Sequence, residues 1–207
     1  MPLTLDHISA ALALSSSEVR TDFDLNPEVK AHQLSIHDRK PAAVLCALRL
    51  QGDQLHVVLT QRASHLKQHA GQVAFPGGKI DATDASAQAA ALREADEEIG
   101  LPPEHVKMLG VLDPYLTSTG YTVTPYVGLI EPTWTARPDP GEVESVFEPP
   151  LDFLMNPENR QRHHHDRNGY RRYSYAMPWN GFYIWGATAG MLKGLADRIT
   201  TVTELPG

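Results

Sequence analysis

Three glutamates stand close together in the run Arg93-Glu94-Ala95-Asp96-Glu97-Glu98-Ile99-Gly100. At about 100° per residue, positions related by i, i+3 and i+4 share one helical face, so Glu94, Glu97 and Glu98 point the same way. Leu92, Ala95 and Ile99 occupy a largely opposite face, which predicts a helix that buries an apolar stripe and turns three carboxylates outward. Such a set of hard oxygen donors suits a divalent cation. Two like charges about 5 Å apart repel by roughly 3 kcal/mol at an effective dielectric near 20, and a bound cation relieves that cost. Taken alone, the helix also admits a plainer reading: a solvated acidic face in which Arg93 and Glu97 form an i,i+4 pair worth about 0.3–0.5 kcal/mol.

Sixteen residues before Glu94 lies Gly78, the end of Phe75-Pro76-Gly77-Gly78. Glycine there lets main chain approach a metal or phosphate with no Cβ in the way, although the same residues also suit a structural turn. Neither a nucleotide P-loop nor a dinucleotide-binding fingerprint is present. Basic Arg62 and Lys67 lie just upstream, and Glu142 and Glu144 lie downstream beside an expected strand. The segment Gln161 to Arg172 is rich in Arg and contains His163, His164 and His165. Adjacent residues in an extended segment point to opposite faces, so the three histidines are assigned no metal; the arginines are candidates to meet a phosphate or a base. Tyr173, Tyr175, Trp179, Phe182, Tyr183 and Trp185 read as core packing against the last helix rather than as a stacking surface.

The elements that position these residues follow from pattern. Ala42 to Leu50 is nearly all apolar, Gly52-Asp53 marks a turn and Gln54 to Thr60 is rich in Val and Leu, predicting two paired strands. Ser64 to Ala74 is polar and irregular, which predicts a shaped loop running into the paired glycines. Ala85 to Ile99 consists largely of strong helix formers, with Asp84 as the expected N-cap and Gly100 before Pro102-Pro103 as the stop. Val106 to Leu112, Tyr121 to Ile130 and Val143 to Phe147 read as strands, and Leu151 to Leu154 as a short helical turn. Tyr170 to Ala176 and Phe182 to Ile184 read as late strands, Thr188 to Ile199 as a closing helix, and His7 to Leu14 and Pro27 to Leu34 as short amphipathic helices. Strands on both sides of a central helix favour an α/β fold with a mixed sheet covered by helices, not a regular parallel βαβ series.

Composition bounds the function. The 207 residues are 42% hydrophobic and 21% charged, ordinary globular usage for one large domain. A net charge of −7 argues against a broad nucleic-acid footprint. The single cysteine, Cys46, cannot form an internal disulfide and sits in an apolar run, as a core residue would. No apolar stretch approaches the roughly 18 residues of a membrane helix, and Met1 to Leu14 lacks a basic n-region, so the expected compartment is the cytoplasm.

Gly78, Asp84 and Arg93-Glu94-Ala95-x-Glu97-Glu98-Ile99-Gly100-Leu101 together resemble the Nudix box, Gly-x5-Glu-x7-Arg-Glu-U-x-Glu-Glu-x-Gly-U with U apolar. Asp84 stands where that family has Glu, and eight residues rather than seven separate it from Arg93. Upstream, Leu59-Thr60-Gln61-Arg62-Ala63-x3-Lys67-x3-Gly71-x3-Phe75-Pro76-Gly77-Gly78 is similar to the added signature of the coenzyme A pyrophosphatase branch, with Val58 for its first Leu and Lys67 for its second Arg. Both motifs span Val58 to Leu101, about a fifth of the chain.

The resemblance implies a Nudix α/β/α sandwich over residues 41–200; an N-terminal extension over 1–40, read as helical, and a tail at 201–207 lie outside it. It implies Mg²⁺- or Mn²⁺-dependent hydrolysis of a small nucleotide, coenzyme A or an acyl-CoA, to 3′,5′-ADP and 4′-phosphopantetheine or its acyl derivative. Hydrolysis of another nucleoside diphosphate derivative such as ADP-ribose, or non-catalytic nucleotide binding, are the alternatives. Glu94 and Glu98 would then hold the metal, with Glu97 as a further ligand or as the base. Arg93 would fix the glutamates through a loop carboxylate, Asp84 or Asp81. Glu142 or Glu144 would supply a further base or ligand, Arg62 and Lys67 would clasp phosphates, and Gly77 and Gly78 would line the substrate. Neither nucleic acid nor membrane is an expected partner, and an edge strand or the apolar tail offers a surface for a homodimer.

Overall fold

The computed structural model describes residues 2–14, 19–26, 39–167 and 170–204. Its centre is strand β2 (Lys40–Gln51), which follows a short helix α1 (Leu5–Ala13) and a two-residue strand β1 (Arg20–Thr21). The apolar run of β2 is buried on both faces, as a central strand must be. Beside it lie β3 (Gln54–Val57), antiparallel, and β9 (Tyr121–Ile130), parallel over ten register pairs from Lys40↔Tyr121 to Arg49↔Ile130. Strands β6 (Gly77–Lys79), β7 (Val106–Val111) and β8 (Tyr115–Leu116) complete a mixed sheet of seven.

Alternation along β2 sorts the core into two layers. Ala43, Leu45 and Ala47 face helix α2 (Ala87–Ile99), packing on its Ala90, Ala91, Ala95 and Ile99. Ala42, Cys46 and Leu48 face the opposite layer, where α1, α3 (Leu151–Met155) and α4 (Gly186–Glu204) bury Ile8, Leu154, Leu192 and Leu195. The result is helix on sheet on helix, an α/β/α sandwich around a mixed sheet. Cys46 is core, and burial pushes its thiol up to about 12.

Two small sheets flank this body. β4 (Leu59–Arg62) pairs with β5 (Val73–Ala74) and β10 (Val143–Phe147). β11 (Gln161–Arg167), β12 (Tyr170–Trp179) and β13 (Phe182–Trp185) form an antiparallel meander.

Several sequence expectations need correction. The strand expected over Gln54 to Thr60 is two strands in different sheets. At the switch Val57 N–H donates to Pro149 O and Val58 N–H to Ala47 O, so the chain changes partners there. Strand β11 was not expected, because its polar, His-containing sequence shows no alternation and it pairs through main chain. The closing helix is longer than Thr188 to Ile199, running from Gly186 to Glu204. The helix expected over Pro27 to Leu34 lies outside the described residues.

Candidate active site

Helix α2 starts at Ser86, whose hydroxyl accepts from Ala89 N–H at 3.1 Å; Asp84 is not the cap. Asp84 is claimed instead by Arg93, accepting from Nε at 2.9 Å and from Nη2 at 3.1 Å. This fork is bidentate, and it holds the Asp84 carboxyl below the usual carboxylate range while raising the guanidinium. The extra residue between Asp84 and the helix leaves the pair intact. Arg93 also meets Glu94 at 3.1 Å, Glu97 at 2.8 Å and Asp81 at 3.7 Å. One guanidinium thus ties the loop after β6 to the acidic face of the helix.

The three glutamates do not all point outward. Glu98 is buried, 4% exposed, because the face it shares with Glu94 lies against the glycine loop rather than against water. Its Oε2 accepts from Gly77 N–H at 3.1 Å and its Oε1 stands 3.5 Å from Arg62 Nη1. Burial raises the Glu98 pKa to about 7, outweighing the Gly77 amide and the Arg62 charge, which lower it. Glu94 is half-buried and its pKa is raised in the same way, against the pull of Arg93. Glu97 is exposed and committed to Arg93.

Both glycines are required, for different reasons. Gly77 has φ +146°, and a Cβ on it would lie 2.5 Å from Val44 Cα and from Ala43 O. A Cβ on Gly78 would lie 2.6 Å from the Glu94 carboxylate carbon, so the bare main chain there is what admits that carboxylate. The strand pairing Ala43↔Gly78 and the bond from Leu45 N–H to Pro76 O lock the loop to the central strand.

Arg62 ends β4, its main chain fixed by Arg62 N–H to Gln72 O and Gly71 N–H to Arg62 O. Lys67 is exposed on the intervening loop, away from this cluster. The end of α2 is tied down by Trp134 Nε1 to Gly100 O, Arg137 N–H to Ile99 O and Asp139 N–H to Glu98 O. That route delivers exposed Glu142 close enough for its charge to raise the pKa of both Glu94 and Glu98. Glu144 is spent elsewhere, accepting from Ser64 N–H at 3.2 Å.

Among the described residues no three His, Cys, Asp or Glu side chains converge at ligand spacing. The convergent pair is Glu94 and Glu98, one on each glycine. A buried carboxylate of raised pKa, its oxygens only partly compensated, beside a second carboxylate and open main chain, fits a hard divalent cation. Next to it opens a cavity of about 400 Å³, lined by Arg62, Gly77, Gly78 and Lys79 on one side and by Arg172, Ser174 and Trp185 on another.

The first 40 residues carry no motif with a chemical reading, yet Asp22 and Phe23 line this cavity. Asn26, 1% exposed, donates to Tyr173 O at 2.8 Å and accepts from Tyr173 N–H at 2.7 Å, behaving as one residue of a neighbouring strand. No local pattern announces such a contact. Of the late aromatics, Phe182 stacks on Phe147 and Trp179 packs beside it, whereas Tyr173 and Trp185 line the cavity. His163 and His164 lie on β11, the first against Tyr183 Oη at 2.9 Å, the second against the Tyr173 ring.

A sandwich carrying a glycine loop, an Arg-anchored acidic helix and an adjoining cavity defines a Nudix hydrolase, and the chain belongs to the Nudix family: the NUDIX domain model matches residues 39–172. Among its relatives, the uncharacterized Nudix hydrolase NudL of Escherichia coli (strain K12 / DH10B) is 44% identical over 179 residues, covering 84% of this chain and 89% of that one. NudL of Salmonella heidelberg (strain SL476) is 41% identical over 201 residues, covering 95% of each. Among solved structures, the Nudix hydrolase RenU from M. smegmatis aligns at TM-score 0.53 with 20% identity, over 82% of this chain and 89% of that one. The MutT protein from Methanosarcina mazei Go1 aligns at TM-score 0.50 with 16% identity, over 80% and 96%. The protein is a hydrolase of a nucleoside diphosphate derivative, of a family that generally uses divalent metal ions. No helix among the described residues is long and apolar enough to cross a membrane.

Proposed function

We propose that the protein hydrolyses the pyrophosphate bond of coenzyme A or its thioesters, giving 3′,5′-ADP and 4′-phosphopantetheine or its acyl derivative. The observation that carries this reading is Arg62. The segment from Val58 to Gly78 that resembles the coenzyme A branch brings its arginine onto the cavity wall and within 3.5 Å of buried Glu98. The likeness in sequence and the position of this cation beside Glu98 both support the reading.

Glu94 and Glu98 would hold Mg²⁺ or Mn²⁺, which when bound neutralises phosphate oxygens and lowers the pKa of water. Arg93, anchored on Asp84, keeps Glu94 and Glu97 in register with the loop. Main chain at Gly77 and Gly78 brings the anhydride close without a side chain in the way. Arg62 draws the phosphate oxygens in. Glu142, whose side chain holds no ion pair among the described residues, takes a proton from the attacking water. The water oxygen bonds to one phosphorus, the bridging P–O bond breaks, and the bridging oxygen leaves on the other phosphate. Glu97 is a second candidate for the proton if Arg93 releases it.

The test is the purified chain with Mg²⁺ or Mn²⁺ and a panel of coenzyme A, acetyl-CoA, ADP-ribose and a dinucleoside polyphosphate, resolved by chromatography. Release of 3′,5′-ADP with the highest kcat/KM in the panel is expected. A preference for ADP-ribose or a dinucleotide would replace this substrate, and binding without turnover would make the protein a nucleotide-binding module.

A further inference from the structure

The cavity extends beyond the glycine loop, and one of its walls carries buried polar atoms that nothing among the described residues satisfies. Arg172 Nε and Ser174 Oγ both line it, both are buried and neither has a hydrogen-bond partner among the described residues. They stand two apart on β12, so strand alternation turns both to the same face. Neighbouring arginines are engaged: Arg171 pairs with Asp166 at 3.2 Å, and Arg162 lies 3.8 Å over the Tyr173 ring. Arg172 lies over the Phe23 ring at 6.0 Å.

A guanidinium nitrogen and a hydroxyl stripped of water without compensation are costly unless a ligand completes them. Their chemistry calls for a compact anion with several acceptor oxygens. The acid in the same wall is Asp22, and its oxygens are already taken: Oδ1 accepts from Tyr115 Oη at 2.9 Å and Oδ2 from Ser118 N–H at 2.6 Å. Asn26 clamps Tyr173, the residue between the two, on both its main-chain groups, so the pair is held in place before any ligand arrives.

We propose that Arg172 and Ser174 form a subsite for a second phosphate of the substrate, the phosphomonoester that coenzyme A carries on its ribose and that dephospho-coenzyme A lacks. The assignment rests on the coenzyme A reading above and adds what would distinguish that substrate from other nucleoside diphosphates. With the anhydride at Gly77 and Gly78 and the ribose phosphate at Arg172, one cavity spans both anionic ends of the 3′,5′-ADP moiety.

Steady-state kinetics on coenzyme A and dephospho-coenzyme A test the subsite, with calorimetry of 3′,5′-ADP and 5′-AMP as a readout independent of turnover. The wild type should favour coenzyme A by roughly 10–100-fold in kcat/KM and 3′,5′-ADP by a similar ratio in Kd, as a charge-assisted contact to phosphate allows. Arg172→Ala should collapse both ratios to within about threefold, the loss falling on the phosphorylated compound, and Arg172→Lys should recover part of it. Equal handling of the two compounds by the wild type, or an unchanged ratio in Arg172→Ala, overturns the proposal. Should that variant not fold, Ser174→Ala must lower the ratio several-fold, and an unchanged ratio refutes the subsite. If neither coenzyme is cleaved while ADP-ribose is, the substrate reading fails, whereas equal affinity for 3′,5′-ADP and 5′-AMP refutes the subsite itself.

Discussion

Adjacent glycines provide a way to separate folding from chemistry. In Gly78→Ala the new Cβ would start 2.6 Å from the Glu94 carboxylate, and ordinary contact begins at 3.4 Å, so the carboxylate must retreat by about 0.8 Å. Gly78 does not sit at positive φ and the obstacle is the end of a flexible side chain, so the fold should survive. A misplacement near 1 Å at a reacting centre costs on the order of 10²-fold in rate. The expected result is kcat lowered about 30–100-fold and weakened Mn²⁺ binding by calorimetry, with a melting temperature within a few degrees of wild type. Gly77→Ala should do the reverse. Its Cβ would meet backbone at 2.5 Å and its φ of +146° is a glycine conformation, so it should lose stability by about 1–3 kcal/mol or more before any question of rate arises. Near-normal kcat and Mn²⁺ affinity in Gly78→Ala would refute the idea that Glu94 works from its place against that main chain.

Glu98→Gln keeps the shape and the Gly77 hydrogen bond but removes the charge; turnover should fall 10²-fold or more, about 2.7 kcal/mol of barrier, without unfolding, and near-normal rates would remove Glu98 from the site. The same carboxyl makes metal-free stability depend on pH. Its folded pKa is raised to about 7, so its contribution is full below the ordinary carboxylate range and is lost as pH rises through about 7. Melting the chelated protein from pH 5 to 8 should show that decline, and Glu98→Gln should flatten it. Arg93→Lys breaks the bidentate hold on Asp84 and should lower kcat at least tenfold with little change in KM, whereas a pure KM effect would place Arg93 on the substrate instead. Asn26→Ala leaves two main-chain groups of Tyr173 without partners and should cost about 2–4 kcal/mol in denaturant unfolding; a change below 0.5 kcal/mol would mean water replaces the clamp.

The body of the fold was legible because burial dictates it. The apolar run of β2, the helix formers before Gly100 and the alternation in β9 each have one physical solution, and the sandwich follows from stacking them. The site was legible where it is local: the i, i+3, i+4 spacing placed Glu94 and Glu98 together, and Arg93 found Asp84 nine residues back. What spacing could not reveal is which side of that face is wet. Glu98 is buried because a distant loop, pinned to β2, covers it, and Asp84 fails as a cap because a longer-range partner outbids the helix. The same holds for Asn26, 147 residues from the main chain it binds, and for β11, whose pairing depends on backbone alone.

The clamp at Asn26 bears on how the molecule divides its labour. The residues proposed for hydrolysis lie on a contiguous stretch from Arg62 to Glu142, while the chamber beside them is walled in part by a leading segment and a trailing strand that grip one another. Trimming the protein to residues 39–172, the span matched by the family model, would discard both Asn26 and Tyr173, the two halves of that grip, and leave helix α2 whole. The cavity thus draws its walls from both pieces of sequence, and a graft that exchanges only the outer pair would alter one wall while leaving Arg62, Gly77 and Gly78 in the other.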